Sequence, residues 1–226
     1  MATAIEQRSP PLVAGDSLTR EEFMRRWERH PEIKNAELIG GVVYMASPVS
    51  PEHGQADSDL GIWIGTYRIA TPGTESGHNT TVILLGDTAQ PDNHLRIAQA
   101  CGGGSWPEGT HLSGVPELVC EICRSSAAYD LHAKLELYEA AGVPEYLAVL
   151  QFEEEIRWHV LLNGKYELLP PDGEGLWRSR IFPGLWLDGK AMLARDLSRV
   201  LSRLHEGLES AEHQAFVAEL QRRRKA

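Results

Sequence analysis

The spacing of hydrophobic and polar positions along this chain of 226 residues changes several times between the period of a helix and that of a strand. Thr19 and Glu22 form a capping signal for a first helix, and Gly40-Gly41 supplies the tight turn of a hairpin over residues 37–45. Such an order of segments predicts a mixed α/β domain. The other predicted elements are a helix over 51–70, a short strand over 80–85, a strand that begins at Asp92, a loop over 99–114, a buried strand over 118–123, a helix over 127–141, strands over 146–150, 155–162 and 165–169, and a helical segment from 190 to the end.

The same pattern predicts how the chain is divided. Residues 1–18 are rich in proline and small residues, which is typical of a flexible N-terminal arm. Residues 19–188 contain the alternating helices and strands of one α/β domain. Residues 189–226 are predicted to be a C-terminal helical extension, whose leucines at helical spacing pack either on the core or on a second subunit.

Composition limits the class of protein. Hydrophobic residues make up 42% of the chain and charged residues 24%, as in ordinary globular proteins. No apolar run reaches the roughly 20 residues of a membrane-spanning helix, and the N-terminus lacks a secretory signal pattern. Three cysteines fit a reducing compartment, so we expect a cytoplasmic protein.

The net charge of −10 argues against a broad basic surface for nucleic acid. It does not exclude a nuclease, because acidic residues around a metal count as negative until the cation binds.

Two acidic residues at the ends of apolar stretches are the first candidates for chemistry. Asp92 follows Pro91, and Glu121 lies in an almost continuously apolar strand, on the same side as Val119 and Cys123. A carboxylate there is unfavourable unless a basic residue or a metal ion compensates it. Acids on neighbouring strands can converge on one hard cation such as Mg²⁺, and that arrangement hydrolyses phosphodiesters. A buried acid paired with arginine or lysine is the alternative.

The helix after this strand supplies a candidate basic residue. Lys134 lies one turn from Asp130, and the two form an ordinary surface salt bridge in the simpler interpretation. In the functional interpretation the helix turns Lys134 into the acid cluster, where its ammonium orients the attacking water or offsets charge on the phosphate. Tyr138, one turn further along, shares that face of the helix.

Cysteines and histidines are weaker candidates. Cys120 and Cys123 point to opposite faces of one strand, so they cannot bind one zinc ion together. His94 shares a strand face with Asp92 and either touches the metal or substrate or is a partly exposed polar residue. His53 and Glu37 are peripheral candidates.

These residues together resemble the Uma-two family of bacterial "putative restriction endonucleases", a branch of the PD-(D/E)XK nuclease superfamily. The similarity covers roughly residues 19–188, and the stretch 116–146 is its most specific part. The segments that carry it are Thr19-Arg20-Glu21-Glu22-Phe23, Glu37-Leu38-Ile39-Gly40-Gly41, Ser47-Pro48 with His53, Pro91-Asp92, Val115-Pro116-Glu117-Leu118-Val119-Cys120-Glu121-Ile122, Asp130, Lys134, Tyr138 and Gly142-Val143-Pro144-Glu145-Tyr146.

The resemblance implies a restriction-endonuclease-like domain with a mixed central sheet flanked by helices. It implies an endonuclease that hydrolyses DNA with Mg²⁺, or Mn²⁺ as a substitute. Asp92, Glu121 and the backbone carbonyl of Ile122 would be the metal ligands. The superfamily lysine normally lies two residues after the second acid, at the position of Cys123, and in this family it has moved to the helix at Lys134.

The sequence departs from the family pattern in two places. Arg124-Ser125 stands where the family usually has Ser-Pro, and Gly40-Gly41 where it usually has an acidic residue before glycine.

We expect Asp92, Glu121 and Lys134 to be catalytic, with Glu37, His94, Cys123 and Tyr138 as accessory candidates, in a homodimer that acts on DNA. The alternative is a nuclease-fold binding or scaffold protein without activity, since fold alone does not establish catalysis. A zinc hydrolase lacks the ligand spacing.

Overall fold

The computed structural model describes residues 9–45, 48–124 and 129–225, with the backbone alone for 129–131. Six α-helices lie within these residues: α1 (Arg20–Glu28), α2 (Pro51–Ala70), α3 (Tyr129–Ala141), α4 (Gly189–Leu193), α5 (Leu197–Leu208) and α6 (Ala211–Lys225). The strands are β1 (Ala36–Ile39), β2 (Val42–Met45), β3 (Thr74–His78), β4 (Val82–Leu84), β5 (Asp87–Ala89), β6 (Asn93–Ile97), β7 (Ser105–Glu108), β8 (His111–Gly114), β9 (Leu118–Cys123), β10 (Glu145–Leu150), β11 (Glu155–Leu162), β12 (Lys165–Leu168), β13 (Leu176–Arg178) and β14 (Trp186–Asp188).

Two mixed six-stranded sheets form the framework. One has the strand order β2-β1-β5-β4-β8-β7, and the other β12-β11-β10-β9-β6-β3, with β13 and β14 as a separate pair. The predicted mixed α/β class is therefore confirmed, with two sheets where a single central sheet was expected. β9 and β10 run parallel, and α3 connects them, as a parallel crossover requires.

Strand β9 separates two apolar regions, because its alternate residues face opposite sides. Cys120 and Ile122 belong to the main core around Trp63 and Trp158. Val119, on the other side, belongs to a cleft-side core around Tyr138 and Tyr146. The predicted alternation along this strand is thus confirmed.

Helix α2 places its apolar side on the main core. Ser50 caps its first turn by accepting the backbone N–H of His53 at 3.3 Å, and Pro51 follows at the first helical position. The predicted stripe is buried, together with one further residue: Leu60, Trp63, Ile64 and Tyr67. The opposite side of the first two turns remains available to the cleft described below.

The described part of the predicted N-terminal arm, residues 9–18, is packed against the first hairpin. Leu12 is buried in a small cluster with Phe23. The N–H of Gly15 donates to the Val43 carbonyl at 2.8 Å, and the N–H of Val43 donates to the Asp16 carbonyl at 2.9 Å. For these residues the prediction of a flexible arm is wrong, because backbone hydrogen bonds to β2 hold them.

The segment over 99–114 is not the single loop that its glycines indicated. It contains a short 3₁₀ turn (Gln99–Cys101) and the hairpin of β7 and β8. A Cβ atom at Gly103 would lie 1.8 Å from the Ile97 carbonyl oxygen, so this glycine permits close packing and does not mark a mobile loop.

The predicted C-terminal helical segment is divided into three helices. Asp188 and Asp196 accept backbone N–H groups at the starts of α4 and α5, and Ser210 does so at the start of α6. The apolar stripe packs on the main core through Val200, Leu204 and Leu220. The sequence left two packing partners open for this stripe, the core and a second subunit. In the structure it packs on the core.

Several other predictions can be compared directly with the structure. The capping of α1 by Thr19, the Gly40-Gly41 hairpin and the end of α3 at Gly142 are confirmed. The predicted start of that helix at Ala127 and the side chain of Asp130 lie outside what the structure describes. None of the described helices combines the length and apolar character that crossing a bilayer requires.

Candidate active site

A cleft of about 460 Å³ opens beside the carboxyl end of β9. It collects side chains from β1, β2, α2, the start of β6, the end of β9, α3 and β10. The residues that line it are Asn35, Ala36, Glu37, Tyr44, Met45, Pro48, Val49, Ser50, His53, Asp57, Asn79, Gln90, Asp92, Glu121, Ile122, Cys123, Arg124, Lys134 and Tyr146.

Asp92 and Glu121 meet because β6 and β9 are antiparallel neighbours. Asn93 lies opposite Cys120 in this ladder, so Asp92, the residue before Asn93, enters the strand next to the end of β9. The Asp92 carboxylate also accepts the backbone N–H of Ile122 at 2.7 Å, which fixes it beside the end of β9.

Lys134 lies between two carboxylates. Its Nζ is 3.0 Å from Glu121 Oε1 and 3.0 Å from Glu37 Oε1. Helix α3 brings it there because the helix crosses back over the strand that carries Glu121. The hydroxyl of Tyr138, one helical turn later, donates to the same Glu121 oxygen at 2.7 Å. Helix α3 thus turns Lys134 toward the acids, and this contact fits both the functional interpretation and the alternative of a buried acid paired with a lysine.

Glu37 links the two sheets at this point. It lies on β1 of the first sheet, and its Oε1 accepts the backbone N–H of Gln90 at 2.6 Å in addition to its contact with Lys134. The hairpin that presents Glu37 is closed by Gly40 and Gly41, both at positive φ, as the sequence predicts.

Burial dominates the electrostatics of the cluster. It raises the pKa of Glu121 to about 7, with Lys134 opposing the shift and Asp92 and Glu37 adding to it. Burial alone would lower the pKa of Lys134, but the Glu121 and Glu37 carboxylates outweigh it and raise that pKa. Glu121 Oε1 accepts two donors, which favours the ionised carboxylate in the presence of the lysine.

Helix α2 contributes His53 and Asp57 to the opposite wall. His53 Nε2 lies 3.5 Å from Asp92 Oδ1, and the hydrogen bond to Asp92 raises the pKa of His53. Asp57, one turn later, accepts the side-chain amide of Asn93 at 2.6 Å. Sequence reasoning singled out His53 but missed Asp57, although the two lie four residues apart at a helix start.

Of the accessory candidates, three are brought to the Glu121 cluster and one is not. Glu37 and Cys123 line the cleft, and Tyr138 bonds to Glu121 behind it. His94 is buried away from the cleft, with its ring against Gly77, and burial lowers its pKa to about 4. The alternation of a regular strand would place His94 on the same side as Asp92. The chain bends at Asp92, one residue before β6 begins, so the two side chains do not share a side.

The oxygen atoms of the cleft suit a hard cation. Asp92 and Glu121 present carboxylates, and Ile122, a proposed carbonyl ligand, also lines the cleft. Mg²⁺ keeps several waters and is bound through one or two carboxylates, so a full cage of protein ligands is not required. In the part of the chain that the structure describes, no three histidine, cysteine or acidic side chains form such a cage.

The two mixed sheets, their helices and this cleft define a restriction-endonuclease-like α/β protein. The family model of Uma2, described as "putative restriction endonuclease", matches residues 20–190. The chain belongs to this family. A comparison with curated proteins finds no match.

A solved structure gives independent support for the fold. It is described as "a putative nuclease belonging to DUF820" from Anabaena variabilis, and it is 13% identical in sequence to this chain. The match covers 83% of this chain and 99% of that one, with a TM-score of 0.57. At this level of identity the likeness concerns the fold alone.

Proposed function

We propose that this protein is a metal-dependent endonuclease that hydrolyses DNA phosphodiester bonds. One observation carries the proposal: Asp92, Glu121 and Lys134 are distant in sequence and line a single cleft. Two carboxylates and a fixed ammonium are the groups that metal-assisted phosphodiester hydrolysis requires.

The proposed metal ligands are Asp92, Glu121 and the backbone carbonyl of Ile122. Mg²⁺, or Mn²⁺ in its place, would lower the pKa of a bound water and offset negative charge on the phosphate. Four carboxylates line the cleft, together with the basic side chains of Lys134 and Arg124. The carboxylates are those of Glu37, Asp57, Asp92 and Glu121. A phosphate would be repelled by this excess of negative charge unless a cation reduced it, so we expect activity to depend strictly on the metal.

Lys134 is proposed to orient the attacking water or to stabilise the charge that develops on the phosphate. Glu37 and Tyr138 would act through other groups. Glu37 holds the lysine at 3.0 Å, and Tyr138 holds the Glu121 carboxylate at 2.7 Å. Both are therefore positioning residues, and Cys123 is proposed only to line the cleft.

A non-catalytic binding or scaffold protein is the second candidate. The observation that favours it is that Lys134 and Tyr138 both already bond to Glu121 Oε1, so the cluster is partly neutralised within the chain. Arg124 at a cleft position where the family usually has serine points the same way. In this case the metal would be weakly bound and DNA would not be cleaved.

The test compares the wild type with Asp92→Asn, Glu121→Gln and, as a control, Glu167→Gln on an exposed strand. Mn²⁺ binding is followed by calorimetry, and plasmid nicking by gel electrophoresis in Mg²⁺. We expect both cleft variants to lose Mn²⁺ binding and their nicking rate to fall by at least about 100-fold. Glu167→Gln should bind Mn²⁺ and nick plasmid as the wild type does.

Two outcomes contradict the endonuclease proposal. Equal nicking by the wild type and both cleft variants would assign the cleavage to a contaminant. Mn²⁺ and DNA binding by the wild type without any nicking above the cleft variants would favour the scaffold alternative. The oligomeric state, proposed to be a homodimer, is measured separately by light scattering.

A further inference from the structure

A second pocket, of about 270 Å³, lies next to the active-site cleft. Arg124 lines both cavities, so the two lie side by side at this residue. Its lining combines apolar side chains, among them Leu60, Val149 and Met192, with polar ones. Its polar and aromatic lining includes Arg124, Gln151, Phe152, Glu52, Asp59 and Glu154.

Phe152 is an exposed aromatic ring at the rim of this pocket. Its relative exposure is 66%, which is high for a phenylalanine. The guanidinium of Arg124 lies 5.5 Å from the ring centroid. An aromatic ring beside an arginine is the platform on which proteins stack unpaired bases, and it is tolerant of base identity.

The polar groups of the pocket match a base better than a phosphate. Gln151 Oε1 is buried and has no hydrogen-bond partner among the described residues, although its Nε2 donates to the Glu52 carbonyl at 3.0 Å. The side chains of Glu52, Asp59 and Glu154 add acceptors, and Asp59 is paired with Arg195. Such acceptors repel phosphate but suit the exocyclic amino groups of cytosine and adenine.

We infer that this pocket receives one unstacked nucleobase of the strand being cut, with Arg124 on the phosphate that joins it to the cleft. The inference rests on the proposed function and adds a substrate class: a strand that is unpaired beside the cleavage position. Extruding a base from a duplex requires a few kcal/mol, so single-stranded or mismatched substrates are favoured.

The test measures binding of a fluorescently labelled single-stranded oligonucleotide and its duplex by anisotropy, in EDTA and again in Ca²⁺. Variants are Phe152→Ala, Phe152→Trp and, as a control of similar exposure (61%), Leu168→Ala. We expect Phe152→Ala to weaken single-strand binding roughly ten-fold, Phe152→Trp to retain it and Leu168→Ala to have no effect.

Salt dependence separates the base from the phosphate contact. Arg124→Ala should reduce the slope of log affinity against log salt by about 0.7 for a single strand, whereas Phe152→Ala should leave that slope unchanged. Arg124→Lys should keep the wild-type slope.

The outcomes distinguish this inference from the proposed nuclease activity, because cleavage plays no part in the measurement. Equal affinities of wild type and Phe152→Ala, or tighter binding of the duplex, overturn the base pocket and leave the endonuclease proposal to its own test. Absence of oligonucleotide binding by the wild type in both EDTA and Ca²⁺ overturns both.

Discussion

Glu121 and Glu145 are two buried glutamates that lie on opposite faces of the same sheet. Glu121, on β9, is opposite Ala148, which belongs to the cleft-side core. Glu145, on β10, is opposite Leu118, which belongs to the main core. Burial is the largest cause in both cases and raises the pKa of each to about 7.

Their partners differ in kind. Glu145 accepts the hydroxyl of Ser179 at 2.7 Å and the backbone N–H of Arg180 at 2.6 Å, which are neutral donors. Glu121 is paired with the charged Lys134 and lines an open cleft. Neutral donors fix a loop to a sheet and need no further ligand, whereas a cation among several carboxylates leaves an electrostatic imbalance that a metal could correct. Burial of an acid alone therefore does not identify a functional site.

Replacing Lys134, the charged partner of Glu121, should have the largest effect on the free energy of unfolding. Lys134→Met leaves Glu121 and Glu37 without their shared cation, and we expect the free energy of unfolding at pH 8 to fall by about 3 kcal/mol. Without the lysine, the pKa of Glu121 rises further, so its carboxyl takes up a proton as the pH falls. The loss should therefore be smaller at pH 6 than at pH 8, as measured by urea denaturation.

A double variant is the control for this prediction. Glu121→Gln in the Lys134→Met background removes one of the two uncompensated carboxylates, so about half of the lost stability should return. If the single variant is as stable as the wild type at both pH values, the ion pair is not important for folding.

Glu145, which is held by neutral donors, should make the free energy of unfolding depend on pH. The pKa of Glu145 is about 7 in the folded protein and 4.5 is its ordinary value, so between these values the folded state holds a proton that the unfolded state has lost. Stability must then decrease as the pH rises from 4.5 to 7, by up to about 3 kcal/mol for this group. Glu145→Gln should flatten this decline, because the contribution of Glu145 is removed.

Glu167→Gln, on the exposed side of β12, is the matched control and should retain the wild-type slope between pH 5 and 7. Identical slopes for Glu145→Gln and the wild type would contradict the assignment. Chemical denaturation at several pH values across this range gives the measurement.

The sequence predicts the strand that carries Glu121 from its almost continuous run of apolar residues. Which residues share a side then follows from the alternation of side chains in any strand. It predicts Asp92 and Lys134 as candidates by residue type, and their meeting only through the resemblance to a family. It does not predict that β6 and β9 are antiparallel neighbours with Asn93 opposite Cys120, since strand pairing between distant segments leaves no local pattern.

Other features were missed for different reasons. Glu145 carries a signal similar to that of Glu121, an acid in an apolar strand, but its neutral partners lie more than 30 residues later at Ser179 and Arg180. The glycines at 102–104 indicate a loop when read locally, whereas Gly103 is required by the close approach of the Ile97 carbonyl. Tertiary packing decides both cases.

The smallest predicted effects concern the hydroxyl donor of each glutamate. Ser179 donates to Glu145 and accepts the backbone N–H of Phe182 at 2.8 Å, so Ser179→Ala removes several hydrogen bonds in a partly buried turn and should reduce stability by about 2 kcal/mol. Tyr138→Phe removes one bond to Glu121, while Lys134 remains, and should reduce stability by about 1 kcal/mol. If urea denaturation gave the reverse order, Glu121 would depend on its hydroxyl donor more than Glu145 does. The contrast between a charged and a neutral environment would then not explain how the two carboxylates are held.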